Sequence, residues 1–232
     1  MPMTGTRAAV AAIAVLAASL LQAAGLLDAL SQKDAVAGLK GALTQGAGTA
    51  IGKLGAVDGF LGNPQVKIPL PGKLEDARKL LDLIGLGPKA DELVTTMNRA
   101  AEAAVPEARP LLVDAIKQMS IQDAKSILTG GDDAGTQYFR RVTSDKLRER
   151  FLPIVKRSTD KLQVAGQYNS LAGQASKLGL VDAKDASIES YVTAKALDGL
   201  YLMMANEERA IRQDPMGQAS SLLKKVFTAA KQ

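Results

Sequence analysis

Along most of this chain, apolar residues recur three and four positions apart, while clear alternation is confined to Val66–Leu70. Spacing of that kind lines one side of an α-helix, whereas strands need a two-residue period. Aromatic residues number only eight, four Phe and four Tyr, and Trp is absent. Leu, Ala, Val and Ile must therefore build the core, and small residues let helices approach closely. The expectation is an all-α fold: one compact domain of about eight to ten helices, preceded by a signal peptide.

The start of the chain has a three-part layout. Arg7 supplies a short charged region, Ala8 to Leu21 follow as fourteen apolar or small residues, and Gln22-Ala23-Ala24-Gly25 close it. This is the pattern of a cleavable secretory signal. Cleavage after Gly25 puts the small residues Ala23 and Gly25 at the recognition positions, and cleavage after Ala24 fits less well. A membrane anchor would need about 20 predominantly apolar residues, a length reached here only by counting Gln22 and Gly25. The division expected is residues 1–25 as signal and 26–232 as one helical domain, exported to the periplasm or beyond, with no transmembrane segment in the mature chain.

The chain has no Cys and no His. That removes disulfides, thiol nucleophiles and lipid attachment at cysteine, and with them imidazole zinc sites and Ser-His-Asp catalysis. Only hard cations on carboxylates remain as metal chemistry, and no cofactor is expected.

Helix punctuation can be followed through the rest. Ser31-Gln-Lys-Asp34 and Ser120-Ile-Gln-Asp123 have the form of capping boxes. The first opens a helix carrying Val36, Leu39, Leu43, Ile51 and Leu54; its many glycines imply a break near Gly46 or, as favoured here, close packing by another helix. Asp58 to Pro71 reads as a turn-rich loop running into an extended segment or edge. Leu74, Ala77, Leu80, Leu81 and Ile84 mark an amphipathic helix ended by Gly85-Leu86-Gly87. Pro88 suits the first turn of the next, with Leu93, Val94, Met97, Ala101 and Ala104 inward. Pro106 starts or kinks a helix with Leu111, Leu112, Ala115, Ile116 and Met119. Gly130-Gly131 stop another, and Asp132 or Asp133 caps the helix after it. Further helices are expected over 144–162 around Pro153, over Tyr168–Leu178, from a Ser187 cap to Arg212 with a stop at Asp214-Pro215, and around Leu222–Phe227.

Several segments resemble the bacterial domain-of-unknown-function family 4197. They are Ala42–Gly46, Gly59–Pro71, Thr95–Glu102, Ile127–Arg141, Phe151–Val155 and Ala196–Arg212. The resemblance spans about Leu30 to Phe227 and implies a secreted helical bacterial protein with no assigned activity, so it carries no catalytic residue.

Three groups of residues are candidates for function. Gly130-Gly131-Asp132-Asp133 could hold a cation on Asp132 and Asp133, with Asp123 as third ligand, although a glycine stop with an aspartate cap explains the same residues. Asn98, Arg99 and Glu102 share a helical face and could line a polar pocket. The stretch 140–161 carries eight Lys or Arg against three Asp or Glu, which accounts for the whole chain's net charge of +5. On a helical wheel Leu147, Phe151, Ile154, Val155 and Leu162 fall together. Lys146, Arg150, Arg157 and Lys161 gather along one flank. Such a flank suits an anionic envelope lipid, a polyanion or an acidic protein, or serves only as a solvated face. Nucleic acid is disfavoured because export removes the usual target and no aromatic stacking set interleaves the charges. The reading favoured is a non-enzymatic binding or scaffolding module of the cell envelope. The alternatives are a hydrolase or lyase working through carboxylates, or a carrier enclosing a hydrophobic ligand.

Overall fold

The computed structural model describes residues 33–72, 75, 78–163, 165–170 and 186–214. The proposed signal, the Ser31 cap, most of the 168–178 helix and the helix around Leu222–Phe227 lie outside the described residues.

Helices account for the described chain apart from its turns and one long loop, and there is no strand among the described residues. Helix α1 covers residues 33–54, α2 Arg78–Leu83, α3 Gly87–Ala104, α4 Ala108–Gln118, α5 Ile121–Leu128, α6 Ala134–Thr159 and α7 Ile188–Gln213. Among the described residues these seven are fewer than the eight to ten expected. Part of the difference is a merger, because the helix expected to begin at 144 and the one expected after Asp133 are a single 26-residue helix. Pro153 lies inside it without ending it. It sits on the exposed side, where water can take up the carbonyl that the missing N–H leaves free.

Helix α6 is the centre of the domain, packed against α3, α4, α5 and α7, with α7 also against α3. The expected stripe is correct: Leu147, Phe151 and Val155 are fully buried, and Ile154 and Leu162 partly so. Helix α1 lies against α6 and α7. A Cβ added at Gly46 would rest 3.6 Å from Glu207 Cβ and Ile211 Cδ1, so this glycine marks close packing and not a break. Elsewhere on α1, Gly41 and Gly52 face open space.

Local capping chemistry explains several boundaries. Ser120 and Asp123 form the complete capping box of α5. Ser187 caps α7 by accepting from Ser190 N–H. Pro88 lies in the first turn of α3, and Gly85 takes a φ of +77° where the chain turns out of α2. Pro106 sits in a single 3₁₀ turn, Val105–Glu107, that links α3 to α4.

The loop between α1 and α2 is the unusual part. Phe60, Val66, Ile68 and Leu70 are as buried as the helical core. Gly59 makes the entry turn possible, because a Cβ there would overlap the carbonyl oxygens of Lys53 and Leu54. The Phe60 ring closes on Gly199 of α7, which likewise leaves no room for a Cβ. Val66 closes a turn, its N–H donating to Asn63 O at 3.1 Å, and residues 67–70 run on irregularly and pair with no strand among the described residues.

Candidate functional site

Asn98, Arg99 and Glu102 converge as their spacing implies, and their polar atoms are occupied by the chain itself. Asn98 is fully buried. Its Oδ1 accepts from Ile68 N–H at 2.8 Å, and its Nδ2 donates to Ile68 O at 2.9 Å and to Val94 O at 2.8 Å. The carboxamide thus offers Ile68 the donor and acceptor that a neighbouring strand would offer. One turn on, Glu102 Oε1 accepts from Phe60 N–H at 3.0 Å and Leu61 N–H at 3.2 Å. Its other oxygen takes Arg99 Nη1 at 2.7 Å, and Arg99 Nη2 reaches Asp58 at 2.8 Å. Both contacts, Glu102 first, hold the Arg99 guanidinium above its ordinary pKa. These residues fasten the buried loop to α3.

Asp133 occupies the N-cap position of α6 but makes no side-chain cap bond; its carboxylate accepts from Gln137 Nε2. Here the expected cap is corrected. The first turn of α6 is capped from another helix by Glu208, which accepts from Gly135 N–H at 2.9 Å, Thr136 N–H at 2.8 Å and the Thr136 hydroxyl at 2.9 Å. Arg212 Nη2 donates to the same carboxylate at 2.8 Å and to Ile127 O at 2.8 Å. A buried carboxylate at a helix N-terminus satisfies free N–H groups and opposes the helix dipole favourably. Asp132 is exposed, and Asp123 is turned towards Ser120 and Arg141. Among the described residues no three acidic side chains come together as a cation site.

A third buried carboxylate, Glu189, accepts from Thr159 Oγ1 at 3.1 Å and from Asn169 Nδ2 at 3.0 and 2.9 Å. Glu189 and Glu208 were missed among the sequence candidates. The available signal was an acid set within the apolar stripe of a helix, at Glu208 between Met204 and Ile211, where only a paired carboxylate is tolerated. Glu102, Glu189 and Glu208 are thus all engaged by hydrogen bonds from the chain itself.

The apolar hollow lined by Leu39, Leu43, Phe139 and Met204 has a volume of about 20 Å³, room for a single water.

The basic flank remains. Lys146, Arg150, Arg157 and Lys161 are all exposed, the last just beyond the end of α6. Arg150 bonds Glu107 at 3.2 Å. Lys146, Arg157 and Lys161 have no ion-pair partner among the described residues. Behind them Arg148 lies 3.8 Å from Asp145, and Lys156 pairs with Asp160 at 2.7 Å, which raises the Lys156 pKa. Among the described residues no helix is long and apolar enough to cross a membrane.

The fold and site define an all-helical domain whose buried acids hold its own chain together and whose exposed cations, unpaired among the described residues, lie along the outside of one long helix. The family model described as "Protein of unknown function (DUF4197)" matches residues 29–228, and the chain belongs to that family. No curated protein and no solved structure matches it.

Proposed function

We propose that this chain is an exported, non-enzymatic module of the bacterial cell envelope that binds an anionic surface through the basic flank of α6. The observation that carries the reading is the set of three exposed cations, Lys146, Arg157 and Lys161, with no carboxylate to neutralise them among the described residues. From Lys146 to Arg157 the helix rises about 16 Å, with Lys161 just beyond its end, and a row of that length suits a flat array of phosphates. Export is supported by the charged, apolar and small-residue layout of residues 1–25. A phospholipid headgroup layer is the partner to test first.

Vesicles containing phosphatidylglycerol should retain the purified mature protein at low salt, and phosphatidylcholine vesicles should not. Raising salt should release it, since the Debye length falls to about 8 Å at 0.15 M. The double substitution Arg157→Glu and Lys161→Glu touches no ion pair among the described residues and should abolish retention while leaving Tm unchanged. Absence of wild-type retention, or full retention by the variant, overturns the lipid reading. Retention on a polyanion column without any on vesicles would move the partner to a soluble polyanion.

A further inference from the structure

Helix α4 runs antiparallel to α6. Glu107, just before α4, pairs with Arg150, and eight residues later Ala115 O accepts from the Tyr138 hydroxyl at 2.9 Å. Beyond α4, Asp123 on α5 meets Arg141 at 3.4 Å. Between these two ionic bridges lies a groove of about 450 Å³, within the size range of small-molecule sites.

Its lining is divided by charge. Lys146 stands on the α6 rim and Asp114 on the α4 rim, and the two do not pair with each other. Lys146 has no ion-pair partner among the described residues. Among the described residues Asp114 has only Lys117 of its own helix, at 3.5 Å with both side chains more than half exposed, a contact of little strength. Leu111, Ala115 and Val142 provide apolar lining. The Tyr138 hydroxyl is already engaged, and its ring is buried, with Arg141 over it at 5.4 Å.

A pure anion entering the groove meets Asp114 and Asp123, and a pure cation meets Lys146 and Arg141. The lining cations and acids balance, and a ligand carrying both signs satisfies both rims. We propose that this groove binds a small zwitterion, a molecule with a carboxylate and an ammonium group joined by a short apolar stem, as in an amino acid or short peptide. The carboxylate lies against Lys146, the ammonium against Asp114, and the stem over Leu111 and Val142. The proposal goes beyond the surface-binding function and shares only Lys146 with it.

Titration of the mature protein with alanine, dialanine and trialanine tests this, followed by calorimetry and by the methyl resonances of Leu111 and Val142. At least one peptide should bind saturably, and its N-acetylated and C-amidated forms should each bind about tenfold more weakly or worse. Asp114→Asn should remove the penalty for acetylation, and Lys146→Gln the penalty for amidation. Both are exposed substitutions that should leave Tm within the usual surface range. No saturation by any of the three, or affinity indifferent to blocking and to both substitutions, overturns the proposal. Asp114 lies off the basic flank, so Asp114→Asn should leave vesicle retention intact and keeps the two functions separable.

Discussion

Asn98 does in one side chain what a strand does in a sheet, which is why an irregular segment with no strand partner among the described residues can be buried. Its three hydrogen bonds leave neither the donor nor the acceptor of Ile68 unpaired. Replacing it with an apolar residue of similar size keeps the packing and removes the partners. Asn98→Leu should therefore cost about 2–4 kcal/mol, because each buried polar group left unsatisfied costs about 1–3 kcal/mol. Asn98→Asp should cost more, since its carboxylate has no hydrogen to offer Ile68 O or Val94 O and adds a buried charge. Urea midpoints with unchanged slopes would measure both. A loss under about 1 kcal/mol for Asn98→Leu would mean that the residue only fills space. The sequence placed Asn98 and Glu102 on one face correctly, because helical spacing is local information. What they bind lies 30 and 42 residues away, and nothing in the spacing of α3 names Ile68 or Phe60.

At the scale of elements, the ends of helices divide by where the cap comes from. The Ser120–Asp123 box and the Ser187 cap are legible because donor and acceptor are three residues apart. The start of α6 is not, because its cap is Glu208, 73 residues from Gly135. Asp133 has the right residue type at the right position, yet the backbone there leaves its carboxylate to Gln137. The local box carries a pH dependence. The Ser120 hydroxyl bond is the largest influence holding the Asp123 carboxyl below its ordinary pKa, with Arg141 adding to it. A group depressed on folding stabilises the fold above its unfolded pKa, here about 4. That contribution disappears as pH falls through the lower folded value. Ser120→Ala should cost about 1 kcal/mol at neutral pH, the usual value of a cap, and less once Asp123 is protonated. Urea unfolding of both proteins across the acid limb measures the difference. A cost that stays constant from neutral to acid would show that Asp123 takes no part.

For the whole molecule, the question is whether the loop between α1 and α2 is an appendage or part of the core. Irregular segments usually lie at the surface, since their backbone groups need water. Here Glu102 and Asn98 supply the partners instead, and Phe60, Val66, Ile68 and Leu70 contribute apolar contacts to the central cluster. The Phe60 ring seats on Gly199 of α7, and the Tyr191 hydroxyl donates to Pro69 O at 3.2 Å. Opening the loop would therefore expose buried aromatic and aliphatic surface on α3 and α7 together, and would strand Asn98 and Glu102 without partners. Those penalties approach the free energy of unfolding the whole domain, which for proteins of this kind is only about 5–15 kcal/mol. Loop and helices should consequently open as one cooperative unit. The amides of Phe60, Leu61 and Ile68 report this directly, because each donates to a side chain of α3 and none belongs to a helix. Native-state hydrogen exchange should give them opening free energies within about 1 kcal/mol of the slowest α6 amides. The three should also share their dependence on denaturant. Opening free energies several kcal/mol lower at the loop, with little denaturant dependence, would instead make it a separate, locally unfolding segment. The clamp on α3 would then be a latch that releases without disturbing the core.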